Sequence, residues 1–574
     1  MFSVDAVLRE KTSRTLPLWL EKLLQWGLRY MLHEREFAEF AANHPDLRGI
    51  DCVERVLDYF EFLCEVTAAD LANIPADGPV VLVANHPIGS LDGLALVKMV
   101  AAVRPDVKIM ANRLLSRLEP LQELFIAVEN MEGQASRRQI RIVQRHLQQG
   151  GALIMFPAGE VSRLGWKGVR DGKWNSGFFR LAARVRAPIV PIHLRGKNSG
   201  FFYLLSLLYK PLSTCLLVHE MFGQRGKTLE IRIGNRIPYF SWHDKETSAT
   251  RLAARFRRHV YKIGKGKPGH FSGEAPIAPP EDRATLAASV ERCEILGRTP
   301  DEKIIYLYRR LDTETFSPIL RELGRLREIA FRAVGEGTGH ALDLDRYDDY
   351  YYHLILWDAR QGEIVGAYRF IPTTEQIRQS GAESLYSHHL FNYQREMDAI
   401  LKNGIELGRS FIQPAYWGKR GLDYLWQGIG AYLARYPQYR YLFGAVSISS
   451  ALPPSARDLL VSFYRLYFPP RHPIAVSRRP YPASPAQVPD HFSGMDYRDD
   501  LQRLKSMLGN MNCGIPTLYK QYSELCEPGG VQFIDFGVDP DFNDCIDGLV
   551  LVDISLLKPT RYRRYIEPHL GAEG

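Results

Sequence analysis

A chain of 574 residues, 45% apolar and 24% charged, is longer than one hydrophobic core normally serves, so two or more folded domains are expected and a disordered or fibrous chain is excluded. Seven scattered cysteines with no Cys-x-x-Cys pair argue against a disulfide framework or zinc site and fit a reduced cytoplasmic compartment. The net charge of +8 is unevenly held: residues 1–270 carry 39 Lys and Arg against 26 Asp and Glu, a net of +13, whereas the remainder carries 34 against 39.

In chain order, residues 16–40 place Leu16, Leu20, Leu23, Leu24, Leu28 and Met31 at helical spacing. Two readings stay open, a helix packed on its own domain and one resting on a bilayer surface. No secretory signal is read at the N-terminus, and no run of about 18 to 20 apolar residues predicts a membrane span. Short apolar runs at Val80–Ala84, Leu153–Phe156 and Ile189–Leu194 alternate with helical stretches at Gly93–Val103 and Arg137–Gln149, the pattern of an α/β domain. Arg251–Lys267 has seven basic residues and no acidic one, which makes it either a solvated helix face or an attractor of phosphate and headgroups. The Pro- and Gly-rich stretch after Lys267 predicts a linker over 271–290, between a domain at 1–270 (core about 70–240) and one at 291–574. Beyond it, Tyr351–Asp358, Glu363–Ile371, Gly404–Ile412 and Tyr441–Ser447 read as strands, with a helix at Leu422–Tyr436, giving a second α/β or α+β domain.

Two constellations carry chemistry. In VVLVANHPIGSLDGLAL, a strand ends at Asn85 and His86, a Pro-Gly turn follows, and Ser90 is placed to cap a helix that returns Asp92 toward His86. A histidine oriented by a carboxylate can take a proton from a hydroxyl, whose oxygen then attacks a thioester. FPAGEVSR, with Glu160 and Arg163, follows the next strand, and Val190-Pro191-Ile192 another, so three loops are expected at one sheet edge. Asn112–Leu115 is a weaker candidate for the acceptor groove. Trp166–Trp174, with Lys167, Arg170 and Lys173 among aromatics, suits a headgroup or carrier phosphate better than nucleic acid, since no reader motif accompanies it.

These blocks resemble the lysophospholipid-type acyltransferases. The five residues between His86 and Asp92 and the displaced Glu160 are similar to the haemolysin-like and ornithine-lipid branch. The resemblance, over about residues 70–200, implies His86 as base, Asp92 as its orienter, Asn85 in substrate binding, and Glu160 with Arg163 on a polar or anionic part of the acceptor.

The second constellation is Asp343-Leu344-Asp345-Arg346-Tyr347-Asp348, then Gly366-Ala367-Tyr368-Arg369, then Gly404-Ile405-Glu406-Leu407-Gly408-Arg409. Glu406 and Arg409 lie three apart, on opposite faces of a regular strand, so a shared role requires a bulge or twist. A surface ion-pair network is the competing reading. This series resembles the GNAT superfamily, particularly ornithine N-acyltransferases, which implies Glu406 as base for the amine, directly or through water, and Asp345, Asp348, Arg369 and Arg409 around the polar site. The usual GNAT pyrophosphate loop is not evident around Lys419-Arg420-Gly421, which leaves room for acyl carrier protein as the acyl donor, with acyl-coenzyme A as the alternative.

Together the halves resemble the bifunctional ornithine lipid synthases: an N-terminal glycerolipid-acyltransferase-like αβ domain and a C-terminal GNAT-like α+β domain. The resemblance implies N-acylation of ornithine with a 3-hydroxyacyl thioester, then O-acylation of the 3-hydroxyl of the lyso-ornithine lipid. No metal or bound cofactor is expected, acyl carrier protein is the expected partner, and the place of action is the cytoplasmic surface of the inner membrane. Glycine or another amino acid as acceptor, and a binding protein with inactive acyltransferase folds, remain the alternatives.

Overall fold

The computed structural model describes residues 31–112, 118–128, 137–166, 168–208, 216–242, 248–310, 316–482 and 491–570. The chain divides into two compact units, Met1–Pro276 and Ile277–Gly574.

The first unit holds β1 (Leu63–Glu65), β2 (Val80–Ala84), β3 (Val107–Asn112), β4 (Phe125–Val128), β5 (Ala152–Met155), β6 (Arg163–Gly165), β7 (Gly168–Arg170), β8 (Ile189–Arg195) and β9 (Thr228–Ile233). Seven of them form one sheet in the order β1-β9-β8-β2-β5-β3-β4, while β6 and β7 make a separate hairpin. The run β8-β2-β5-β3-β4 is parallel, so β2, β5 and β8 open their carboxyl ends on one edge. Val80–Ala84 is apolar throughout because both faces are covered. Val80, Leu82 and Ala84 pack with residues of helices Gly49–Tyr59 and Ser90–Ala101, whereas Val81 and Val83 pack with residues of Arg137–Gln148, Gly177–Val185 and Ala249–Ile263.

The basic helix Ala249–Ile263 turns Leu252, Ala253, Phe256, His259 and Val260 inward. Buried His259 accepts the backbone N–H groups of His270 and Phe271 at Nδ1, which ties the return segment to the helix. Burial, with neighbouring His270, lowers its pKa to about 4. Between pH 6.5 and 4 the unfolded chain binds the proton that the folded imidazole refuses. The contribution is therefore complete above pH 6.5 and disappears as pH falls toward 4, a loss of about 3 kcal/mol. We expect urea midpoints to drop across that window in the wild type and less steeply in His259→Gln, whose carbonyl oxygen can still accept; equal slopes would remove His259 as the cause.

Three expectations are corrected. A single helix over 16–40 does not run through: residues 16–30 lie outside the described residues, and His33 takes a left-handed conformation (φ 48°) before the helix Glu34–Asn43. The helix after His86 begins at Ser90 with Gly89, not Ser90, at its cap. The linker does not extend to 290, because Arg283–Val290 is a helix capped by Asp282, with Leu286 and Val290 in the core of the second unit. Glu274 is paired with Arg236 of the first unit, and the Ala278 N–H already bonds to the Ala341 carbonyl.

The second unit holds β10 (Glu294–Arg298), β11 (Ile304–Arg309), β12 (Tyr352–Asp358), β13 (Glu363–Pro372), β14 (Phe391–Tyr393), β15 (Gly404–Ile412), β16 (Tyr441–Ile448), β17 (Ala475–Ser477), β18 (Val531–Asp539) and β19 (Cys545–Asp553). Eight of these form a sheet in the order β10-β11-β12-β13-β15-β16-β19-β18. It is antiparallel except where β15 runs parallel to β16 over Gly404–Glu406. Helices Gly421–Arg435 and Pro454–Tyr467 contribute to the core on one face and Pro318–Val334 to the core on the other.

Candidate active sites

In the first unit, β2 delivers Asn85 and His86 to the carboxyl edge of the sheet. Asn85 does not face a substrate. Its amide nitrogen donates to the Leu194 carbonyl (2.9 Å) and its amide oxygen accepts the Leu194 N–H (2.8 Å), so both polar atoms strap β2 to β8. His86 Nδ1 lies 3.1 Å from Asp92 Oδ2, and its ring stacks on Phe156 at 4.0 Å. The same oxygen accepts the N–H groups of Ile88 (2.8 Å) and Gly89 (3.1 Å), so Asp92 fixes the loop as well as the imidazole. Gly89, at φ 132° and ψ −132°, takes a conformation open only to glycine, which lets five intervening residues close between His86 and Asp92.

With Nδ1 engaged, Nε2 is the nitrogen left for a substrate, and His86 lines a cavity of about 2190 Å³. Leu94, Phe156, Leu181 and Met221 are among its apolar walls, and Glu160 and Arg163 lie along it. Arg163 Nε is 3.1 Å from Glu160 Oε2, and Arg163 also donates to Ser206 Oγ (2.5 Å). The expected pair is thus brought to the site of His86. Of the weaker candidates, residues 113–115 lie outside the described residues, and Trp166–Trp174 is partly the β6–β7 hairpin, with Trp174 buried in the core.

One residue escaped the sequence reading. Asp171, buried among basic neighbours in sequence, accepts the His86 N–H (3.1 Å), the Ser162 hydroxyl (2.5 Å) and the Trp174 indole N–H (2.8 Å). Its own N–H donates to the Tyr261 hydroxyl, and its carbonyl accepts Arg257. Burial raises its pKa although Ser162 and the His86 N–H pull the other way. A lone acid in a basic stretch, WKGVRDGKW, was the only signal available. Asp171→Asn turns an amide N–H toward a donor at this junction, and a shift of ~1 Å at His86 costs on the order of 10²-fold. We expect O-acylation to lose kcat by roughly that factor with KM little changed, and N-acylation to be untouched; a change confined to KM would deny Asp171 the positioning role.

In the second unit, the β13–β15 ladder pairs Ala367 with Phe411 and Arg369 with Gly408, so two residues of β15 oppose Tyr368 alone. The bulge sits at Arg409, whose φ is 47°. It supplies the irregularity that the three-residue spacing of Glu406 and Arg409 demands.

Arg369 donates to Asp345 (2.6 Å) and lies 3.2 Å from Asp348, and Arg327 donates to Asp348 (2.7 Å). Arg409 lies 3.3 Å from Asp343, 3.5 Å from Asp345, and donates to the Tyr386 hydroxyl (3.2 Å). Three guanidiniums and three carboxylates are thus interleaved, with the ring of Tyr386 beneath both Arg369 and Arg409. Burial favours neutral Asp348, but Arg327 and Arg369 overcome it and hold the carboxyl below the usual range. Burial and Arg327 lower the pKa of His353 to about 3, and its Nδ1 lies 3.1 Å from Arg327 as an acceptor. Arg327 and His353 are further members that the sequence reading missed.

Glu406, expected as base for the amine directly or through water, is enclosed by hydrogen-bond donors. Oε2 accepts the Tyr351 hydroxyl and the Tyr386 N–H (3.1 Å); Oε1 accepts the N–H (2.6 Å) and hydroxyl of Ser387. Only 2% exposed, the carboxylate is sealed by four donors, and burial raises its pKa although Ser387 and Tyr351 oppose the shift. The hydroxyls that touch it are those of Tyr351 and Ser387.

Behind Tyr386 lies a second acidic group. The Tyr386 hydroxyl donates to Asp539 (3.1 Å), and the Ser447 hydroxyl donates to Asp547 (2.7 Å). Burial and Asp539 push Asp547 up to about 7, and burial and Asp547 push Glu336 up to about 8. Among the described residues no group of three or more His, Cys, Asp or Glu is placed to hold a metal ion.

Comparison with known proteins finds relatives of both units. The family described as "Acyltransferase" matches residues 7–260, and that described as "Acetyltransferase (GNAT) domain" matches residues 326–427. The chain is 30% identical over 270 residues to the lyso-glycine lipid O-acyltransferase of Bacteroides thetaiotaomicron, covering 97% of that protein and 46% of this one. It is also 30% identical over 275 residues to the glycine N(alpha)-acyltransferase of the same organism, covering 80% of that protein and 44% of this one. The chain belongs to the acyltransferases. Within this family the order of its two domains, an acyltransferase half followed by a GNAT half, is consistent with the architecture of bifunctional ornithine lipid synthases. A third relative, the L-ornithine N(alpha)-acyltransferase of Brucella abortus, is 33% identical over 152 residues, 52% of that protein and 24% of this acyltransferase.

Proposed function

We propose that the second unit joins a 3-hydroxyacyl group to the α-amine of L-ornithine, and that the first then esterifies the new 3-hydroxyl from a second acyl thioester. The observation that carries the second step is the His86–Asp92 pair beside a cavity of about 2190 Å³. His86 Nε2 takes the proton of the 3-hydroxyl as its oxygen attacks the thioester carbonyl. Asp92 stabilises the imidazolium, which returns the proton to the departing thiolate. Glu160 and Arg163 face the polar end of the acceptor. The product of one unit is the acceptor of the other, and holding both on one chain raises its effective concentration.

For the first step, Arg369 and Arg409 suit the α-carboxylate of an amino acid. Ornithine also brings a side-chain ammonium, and Glu336 and Asp547, whose pKa values burial raises, are carboxyls that such a cation would keep ionised. Glycine is the second reading, favoured by relatives named for glycine of which this chain covers 80% and 97%. Acyl carrier protein is the proposed donor in both steps, and the cytoplasmic membrane surface the proposed place of action. No helix of the described residues is long and apolar enough to cross a membrane.

Expression of the full chain in a host without aminolipids, followed by mass spectrometry of its lipids, tests the proposal. A diacylated ornithine lipid supports it. A glycine headgroup selects the second reading, and no new lipid in a host supplied with 3-hydroxyacyl carrier protein rejects both.

A further inference from the structure

The helix Gly200–Leu208 (GFFYLLSLL) is apolar on every side, a composition expected of a helix covered all round. Its inner face is covered: Phe202 and Tyr203 pack with Val161 and Leu216, and Ser206 accepts Arg163. Among the described residues its outer face is uncovered, with Phe201, Leu204 and Leu207 exposed by 63%, 59% and 64%. The helix packs on β6, which adds exposed Leu164, and the hairpin carries Trp166 fully exposed at its turn. Contiguous exposure of this kind marks a surface that something covers.

The charge of the sequence that carries it indicates what covers it. From Val161 to Leu217 the sequence has ten Lys and Arg and a single acid, Asp171, which is buried. Apolar side chains with an outlying Trp, in a stretch of sequence rich in basic residues, match a bilayer interface bearing anionic headgroups. The patch also adjoins the cavity of His86, because Val161 and Leu217, which pack beneath the helix, line that cavity.

We propose that the outer face of Gly200–Leu208, with Leu164 and Trp166, docks the first unit on an anionic bilayer, so that the lyso-lipid acceptor enters the cavity directly from the membrane. The proposal rests on the reading of this unit as an O-acyltransferase of a lipid acceptor. An acidic carrier protein would meet the same charge but makes no use of five exposed apolar side chains.

Flotation of the full chain with vesicles of phosphatidylethanolamine and phosphatidylglycerol tests it, with phosphatidylcholine vesicles as control. The wild type and His86→Ala are expected to float with the anionic vesicles. Leu204→Asp combined with Leu207→Asp, and separately Trp166→Ala, which removes a fully exposed side chain, are expected to bind at least about tenfold more weakly. Both variants should keep activity on a short-chain acceptor dispersed in detergent. Vesicle binding equal to wild type in Trp166→Ala and in a folded Leu204/Leu207 variant overturns the proposal, as does loss of affinity for acyl carrier protein with vesicle binding intact. If vesicles bind through the patch but no lyso-lipid is acylated, the docking stands and the O-acylation reading falls.

Discussion

His86→Ala is expected to leave cells with a monoacylated aminolipid and no diacylated one. Loss of a positioned general base removes roughly 10² to 10⁴ in rate, and alanine offers no other group to take the hydroxyl proton. The loop should survive, because Asp92 still accepts the Ile88 and Gly89 N–H groups and Asn85 still straps β2 to β8. Asp92→Asn should be less selective: it weakens the hold on His86 Nδ1 and on both loop amides together, so activity and stability decline in parallel. Mass spectrometry of lipid extracts reads the result. Continued production of the diacylated lipid by His86→Ala, without its monoacylated precursor, would remove His86 from the reaction.

The elements that carry this site were legible because their signals are local. Val80–Ala84 is a short apolar run that needs cover on both faces, and β2 spans those residues. The spacing of Glu406 and Arg409 demanded a bulge, and the β13–β15 ladder has one at that place. Reasoning from sequence failed where the deciding partner lies far along the chain. Asn85 looks like a substrate ligand until Leu194, 109 residues away, takes both its amide atoms. Asp171 is marked in sequence only as a lone acid in a basic stretch, since its hold on the site depends on His86 and Tyr261, each at least 85 residues distant. The end of the linker was misplaced for a different reason: Pro and Gly report a break but not how soon a capped helix such as Arg283–Val290 resumes.

Glu406 separates chemistry from support in the second unit, and Glu406→Gln is expected to lower both N-acylation and stability. The carboxylate accepts from Tyr351, Tyr386 and twice from Ser387. Glutamine retains one acceptor oxygen and turns an NH₂ group toward donors at the other. At least one buried donor then loses its partner, at about 1–3 kcal/mol for each. The rings of Tyr351 and Tyr386, which lie beneath Arg369, lose their anchor in the same step. Thermal unfolding followed with N-acyl transfer should therefore show a lower midpoint and lost turnover together, with O-acylation preserved. Tyr351→Phe sharpens the distinction, because it keeps the ring under Arg369 and removes the hydroxyl that donates to Glu406 and accepts the Tyr386 N–H, which retains Glu406 as acceptor. If that hydroxyl relays a proton from the amine, turnover falls by roughly 10²-fold or more at near-normal stability. If Glu406 acts as an anchor alone, the loss is only a few-fold. A Glu406→Gln protein that melts with the wild type yet transfers no acyl group to the amine would restore the carboxylate as the base, reached through Tyr351 or Ser387.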